Sequence, residues 1–261
     1  MNIIAVDIGN TNITIGLYLK DEELFIKSIP GRSRKKLTSC LKSAWQKIPI
    51  VKSSKEKKCD GVIVVSSVKP ARTKLIEQIV KDNLGERIFI IGKDIPLPMT
   101  LWVDEPDKVG TDRVVSAAAA YAVVEDAVAV ADFGTAVTID LVDEKGIFLG
   151  GVIFPGFEIS VKALNENTAQ LPKTKVTRPK APYGKTTTEA INCGLYYSAV
   201  ATLQEVIRHY AEKIGKWPHI VLTGSAAETI KDDCEFIDSY VPNLVVKGIV
   251  LAYRKYTKEK E

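Results

Sequence analysis

The sequence predicts an α/β protein of two similar halves, each a mixed sheet flanked by helices, with a cleft between them. Three observations carry this. Short apolar runs alternate along the chain with amphipathic helical patterns. A strand–turn–strand unit whose first strand ends in Asp-x-Gly occurs twice, at Asp7 and at Asp132, 125 residues apart. That offset is close to half of the 261 residues, as an internal duplication would give. The expected halves are residues 1–125 and 126–261.

Ile3 to Val6 is an apolar strand, and alternation resumes at Ile13 to Leu17, so the two read as a hairpin around Asp7-Ile-Gly-Asn-Thr-Asn12. Lys20 to Glu23 makes a turn, and Leu24 to Ile29 a third strand. Leu37 to Ile48 is helical in pattern. Gly61 to Ser66 is a buried strand, Pro70 to Leu84 an amphipathic helix, and Arg87 to Ile91 a further strand. Residues 92–112 are punctuated by Pro96, Pro98, Pro106 and Gly110 and read as loop. Arg113 to Val124 is an alanine-rich helix. From Ala127 the opening pattern returns as strand, turn and strand through Leu141, and Gly146 to Gly156 continues the second sheet. Helices follow at about 157–168 and 187–214. His219 to Gly224 is a last strand and turn, and Leu244 to Tyr253 a last helix.

With 46% apolar and 26% charged residues, the chain can bury a sizeable core without staples. It has no run of eighteen apolar residues, so no membrane partner is expected. The N-terminus enters a strand at once, without the basic region of a signal peptide. Cys40, Cys59, Cys193 and Cys234 lack CxxC spacing, and His209 and His219 are not near them in sequence. A zinc site or disulfide framework is therefore not expected, and the setting reads as reducing and cytoplasmic. The net charge of +4 owes much to two basic stretches, 52–58 and 254–260. Neither interleaves aromatics with its basic residues, so they read as a solvated loop and a frayed tail, with no nucleic-acid partner expected.

The candidate chemistry begins at Asp7. The strand delivers a carboxylate to its end, and Gly9 lets the backbone come close to a ligand. Asn10, Thr11 and the backbone N–H groups offer neutral donors to phosphate oxygens. Asp7, itself an anion, would work through Mg²⁺ or its water shell. Turn chemistry alone accounts for one such hairpin. The second, Asp132-Phe-Gly134-Thr135-Ala136, makes a shared grip on a polyphosphate the better reading. Gly110-Thr-Asp-Arg113 precedes the alanine-rich helix, where Thr111 or Asp112 would act as N-cap. A capping Asp112 would be held as an anion and be a weak base. In phosphoryl transfer positioning dominates, so a base role stays open to it. Arg113 could hold a carboxylate or a phosphoryl oxygen. Gly150-Gly151 fits either close approach to a ligand or tight strand packing. Thr223-Gly-Ser-Ala-Ala227 fits either a nucleotide-base floor or a plain strand-to-helix turn.

Taken in order, DIGNT at 7–11, GTDR at 110–113, DFGTA at 132–136, GGVIFPG at 150–156, TAQLP at 168–172, GKTTTEAINCG at 184–194, TGSAA at 223–227 and PNLVVKGI at 242–249 span nearly the whole chain. This set resembles the type III pantothenate kinases, in the superfamily of acetate kinase, sugar kinases and actin. The resemblance implies two ribonuclease H-like (actin-like ATPase) halves. It implies ATP-dependent phosphorylation of pantothenate at its terminal hydroxyl, the first step of coenzyme A synthesis. Asp7, Ile8, Gly9, Asn10, Thr11, Asn12, Ile13 and Thr14 would hold the ATP phosphates, with Thr135 on the other side. Asp112 would accept the proton. Gly110, Thr111, Asp112, Arg113 and Thr187 would contact pantothenate. Asp7 would serve Mg²⁺, and Asp132 a monovalent cation, K⁺ or NH₄⁺. A homodimer is implied, with each site completed near the subunit interface. Where members often carry Tyr, this chain has Val103, preceded by Trp102; either Trp102 packs in place of the lost phenol or pantothenate affinity changes. No GxxxxGK[ST] loop is present. The alternatives are another small-molecule kinase or a phosphohydrolase on this scaffold, and a non-enzymatic regulator, which would be expected to lack Asp7, Asp112 or Asp132.

Overall fold

A computed structural model of the chain describes residues 1–50 and 59–260. β1 (Asn2–Ile8) and β2 (Asn12–Leu19) form the expected antiparallel hairpin, and β3 (Glu22–Pro30) pairs with β2. α1 (Arg34–Trp45) lies about one turn ahead of its expected span. β4 (Gly61–Ser67) runs parallel to β1. α2 (Pro70–Leu84) has the expected bounds: Pro70 starts it, and Gly85, with φ 70°, ends it. β5 (Ile88–Ile90) completes a sheet ordered β3-β2-β1-β4-β5.

The stretch expected as loop holds a two-residue strand, β6 (Thr100–Leu101), and a 3₁₀ turn at Pro106–Lys108. α3 (Thr111–Val124) follows. β7 (Val128–Phe133), β8 (Ala136–Val142) and β9 (Ile147–Pro155) form an antiparallel meander. α4 (Phe157–Glu166) and α5 (Thr187–Ile214) stand near their expected places. β10 (His219–Thr223) runs parallel to β7, and β11 (Ser239–Tyr240) is a second two-residue strand. α6 (Leu244–Lys258) closes the chain.

The chain divides into two compact units, Met1–Met99 with Asp107–Ala119 and Val245–Glu261, and Thr100–Pro106 with Ala120–Leu244. A single cut at residue 125 does not describe them. The main boundary falls at Ala120, within α3, and two further segments leave the half in which the sequence places them, each for a packing reason. β6 pairs with β9, and α6 packs its apolar stripe on the first sheet.

In the first unit, period-two alternation gives the sheet two apolar faces. Ile4, Val6, Ile63 and Val65 meet Leu37 and Leu41 of α1 and Ile76 and Ile79 of α2. Ile3, Ala5 and Val64 meet Val115 of α3 and Val246, Ile249 and Tyr253 of α6. Gly248 lets α6 lie close on α3: a Cβ there would stand 2.0 Å from the Val115 carbonyl oxygen.

In the second unit, the order is β11-β10-β7-β8-β9-β6. Apart from the edge strand β6, this repeats the first sheet strand for strand: a three-strand meander with two parallel strands beyond its first member. Ala129, Ala131 and Phe133 of β7 pack with Tyr196, Leu203 and Ile207 of α5.

The basic stretch at 52–58 lies outside the described residues. The stretch at 254–260 is mostly not a frayed tail: α6 continues to Lys258, Arg254 pairs with Asp21 at 3.2 Å, and Lys255 Nζ donates to the Pro98 carbonyl at 3.0 Å. Among the described residues, no helix is long and apolar enough to cross a membrane.

Candidate active site

Alternation along β1 turns Asp7 to the face it shares with Ile3 and Ala5, the face covered by α3 and α6. Thr14 on β2 and Ser66 on β4 are its direct cross-strand neighbours and share that face. Ser66 is fully buried, and its Oγ lies 2.9 Å from Oγ1 of Thr111. The first turn of α3 therefore meets the strand end that bears Asp7, and Asp112 is the next residue. Asp7 and the GTDR segment, far apart in sequence, belong to one cluster.

The turn beside Asp7 is held from three sides. The Gly9 N–H donates to the Asn12 carbonyl at 3.1 Å, and the Gly31 N–H donates to the Thr11 carbonyl at 3.0 Å. The Arg72 guanidinium donates through Nη1 to the Gly9 carbonyl at 2.8 Å. Asn10, Thr11 and Asn12 stand exposed at the tip.

Neither Thr111 nor Asp112 caps α3. The helix already includes both, and the carbonyl of Gly110 accepts from the N–H groups of Arg113 (3.2 Å) and Val114 (3.4 Å). The expected consequence of capping is reversed as well. Burial pushes the Asp112 carboxyl above its ordinary 3.8, outweighing the Arg113 N–H that donates to Oδ1 at 2.9 Å and the Arg113 guanidinium. A raised carboxyl is a stronger base than a capping one.

The second unit rebuilds the same arrangement. Asp132 has Thr138 on β8 and Thr223 on β10 as cross-strand neighbours. The Gly134 N–H donates to the Ala136 carbonyl at 3.1 Å, and the Gly156 N–H to the Thr135 carbonyl at 3.2 Å. Pro155-Gly156 stands at the same 125-residue offset from Pro30-Gly31 as Asp132 does from Asp7. Gly224, with φ 100°, abuts Asp132; a Cβ there would lie 2.4 Å from Asp132 Oδ1. The TGSAA turn is thus part of this hairpin's wall. Gly151 packs tightly on β8, where a Cβ would lie 2.3 Å from the Ile139 carbonyl oxygen and 2.4 Å from Asp140 Oδ1.

Thr187 opens α5 at an exposed position. Thr186 caps that helix in a capping box with Glu189. The irregular segment leading to it is pinned by the Thr177 N–H on Asn192 Oδ1 at 2.8 Å and by an Arg178–Asp233 ion pair.

Ser66, Arg72, Thr138 and the pair Pro30-Gly31 escape the motif reading, whereas Thr223 and Pro155-Gly156 stand within quoted motifs. Pro30-Gly31 lies within reach of the 125-residue repeat once it is followed past the hairpins to Pro155-Gly156.

The family model for type III pantothenate kinase matches residues 3–209. The chain belongs to the type III pantothenate kinase family. One such kinase, from Bifidobacterium animalis subsp. lactis (strain AD011), is 36% identical over 254 residues, which are 97% of this chain and 99% of that protein. Among solved structures, a conserved Campylobacter jejuni protein assigned to the Baf family of transcriptional activators superposes with TM-score 0.59 at 18% identity, covering 98% of each chain. Component A of (R)-2-hydroxyglutaryl-CoA dehydratase from Acidaminococcus fermentans gives 0.52 at 12% identity over the full length of both. At these identities the likeness is one of fold, and the fold is the actin-like ATPase class. Of the type III pantothenate kinase motifs, DIGNT and GTDR fall in the cluster of the first unit, and DFGTA and TGSAA in that of the second. Trp102, beside Val103 where the family often has Tyr, is 75% exposed, so within the chain it does not pack in place of a phenol.

Proposed function

We propose that this chain transfers the γ-phosphoryl group of ATP to the terminal hydroxyl of pantothenate, giving 4′-phosphopantothenate and ADP, the first step of coenzyme A synthesis. Family membership over nearly the whole chain supports the reaction. The observation that carries the mechanism is the cluster of Asp7, Ser66, Thr111 and the half-buried Asp112 beside the exposed turn that follows β1.

In this reading the segment Asp7 to Thr14 holds the phosphates, with Thr135 of the second hairpin, and Gly110 to Arg113 with Thr187 hold pantothenate. Asp112 orients the hydroxyl and takes its proton as the oxygen bonds to the γ-phosphorus. The bond from that phosphorus to the bridging oxygen of ADP breaks. Arg113 and the turn donors offset charge spreading over the phosphoryl oxygens. Raising the Asp112 carboxyl by burial brings it nearer the working pH of a general base.

Asp7, Thr14 and Ser66 present only oxygen donors, and among the described residues no group of three or more His, Cys, Asp or Glu could hold a metal. That set suits Mg²⁺ bound chiefly by water and phosphate oxygens, with Asp7 as its protein anchor. Bound there, Mg²⁺ would neutralise phosphate charge. Asp132 with Thr138 and Thr223 offers one negative charge and neutral oxygens, a match for K⁺ or NH₄⁺. A homodimer is part of the reading, and exposed Trp102 and Ile153 give apolar surface for a second copy. Four free thiols fit a reducing cytoplasm.

The test is product analysis by mass spectrometry with ATP, Mg²⁺ and K⁺ and a panel of acceptors including pantothenate, glucose, acetate and water. Phosphopantothenate as the dominant product is expected. Phosphorylation of a different acceptor, or net ATP hydrolysis alone, would overturn the assignment.

A further inference from the structure

Arg72 lies in the first turn of α2, where the helix dipole disfavours a cation. That turn contains no acidic residue, and among the described residues Arg72 has no carboxylate partner. Among the described residues, one of its five N–H donors is engaged, and its acceptor is the carbonyl of Gly9 in the phosphate turn. The guanidinium packs closely against Gly31. A Cβ at Gly31 would stand 2.4 Å from Nη1, 2.6 Å from Cζ and 3.0 Å from Nε. Gly31 in turn donates to Thr11. Arg72, Gly31, Gly9 and Thr11 thus form one interlocked layer at the base of the turn.

The repeat shows what is particular about it. In the second unit the corresponding glycine, Gly156, sits directly on the corresponding carbonyl, with a Cβ only 2.4 Å from the Gly134 oxygen. The first unit inserts a cation at that place. The guanidinium covers the Gly9 carbonyl with permanent positive charge at the turn read as the phosphate holder. A half-buried guanidinium without a carboxylate gains most from an anion.

We propose that Arg72 is a positioning residue of the phosphate turn, holding it through the Gly9 carbonyl and biasing it toward polyphosphate. This rests on the reading that the Asp7–Thr14 turn holds the phosphates of ATP. The side chain acts on ATP and ADP affinity, and not on adenosine or pantothenate.

The experiment measures dissociation constants of ATP, ADP and adenosine by calorimetry, and KM for ATP and pantothenate. The proteins are the full-length wild type, Arg72→Met, Arg72→Lys, Gly31→Ala, the Gly31→Ala/Arg72→Met pair and Asn10→Ala. Loss of one charge-assisted contact predicts that Arg72→Met weakens ATP and ADP by about tenfold or more. Adenosine binding and the pantothenate KM should stay within about twofold, and Arg72→Lys should recover part of the loss. Gly31→Ala should displace the guanidinium and weaken ATP in the same direction, with no further loss when it is added to Arg72→Met. Equal weakening of ATP, ADP and adenosine, additive losses in the pair, or unchanged ATP affinity in Arg72→Met would overturn the proposal. If Asn10→Ala weakens ATP while Arg72→Met does not, Arg72 alone is misassigned. If neither does, or the wild type binds no ATP, the phosphate-turn reading fails and this proposal with it.

Discussion

Asp112→Asn separates chemistry from stability at one atom. The substitution keeps an Oδ1 that can accept from the Arg113 N–H, now 2.9 Å away, and removes the proton acceptor. Loss of a general base lowers kcat by about 10²–10⁴, or roughly 3–5 kcal/mol of barrier. The same change should stabilise the fold at neutral pH. Burial raises the Asp112 carboxyl in the native state above its ordinary 3.8. The native state then holds that proton more tightly than the unfolded state does. Its contribution is fully favourable below the unfolded value and is lost as pH rises through the folded one. Asn does not titrate, so the variant escapes this loss. The assay is thermal unfolding of both proteins from pH 4 to 8 alongside the kinase rate. The Tm difference in favour of Asn should be present at pH 7 and shrink toward pH 4. In the wild type, the acid limb of kcat/KM should fall above the ordinary aspartate value. An Asp112→Asn variant that is destabilised at pH 7, or that keeps near-normal turnover, would refute the reasoning.

Gly248→Ala would force a methyl group to within 2.0 Å of the Val115 carbonyl oxygen and push α3 off the sheet. A cost of about 3 kcal/mol, or a Tm drop of roughly 6–12 °C, should appear in thermal melts, with kcat falling because Asp112 rides on the same helix. Gly156→Ala meets backbone, 2.4 Å from the Gly134 oxygen and 2.6 Å from that of Thr135, so the turn must reshape. Steady-state kinetics should show the ATP KM rising at least about tenfold, with a smaller change for pantothenate. Asp132→Asn should flatten the dependence of rate on K⁺ concentration, which a titration in a Tris–chloride background reads directly.

Both Asp hairpins are legible in the sequence because their signature is local: an apolar strand, a carboxylate, a glycine and a hydroxyl in succession. The bounds of α2 are legible for the same reason, since Pro70 and Gly85 punctuate it. What escapes is set by partners distant in sequence. Ser66 acquires meaning only when parallel pairing lays it beside Asp7, and Thr223, read in the sequence only as part of a floor or a turn, becomes a neighbour of Asp132 in the same way. The stripe of Val246, Ile249 and Tyr253 announces a buried helix face but not which sheet it covers, so the sequence places α6 in the wrong unit. β6 and β11 are two residues each, too short for any periodicity. Asp112 is misread because capping is a local pattern, whereas the desolvation that raises its carboxyl is a product of packing. Arg72 looks like one more charge on a solvated helix until the fold sets it against Gly31.

A crystal structure of the full chain with a non-hydrolysable ATP analogue, Mg²⁺ and pantothenate tests the central claim most directly. The account predicts the terminal hydroxyl of pantothenate within about 2.6–3.2 Å of an Asp112 carboxylate oxygen, with phosphates on the Asp7–Thr14 turn. Pantothenate bound with its hydroxyl away from Asp112, or phosphates seated off that turn, would contradict it.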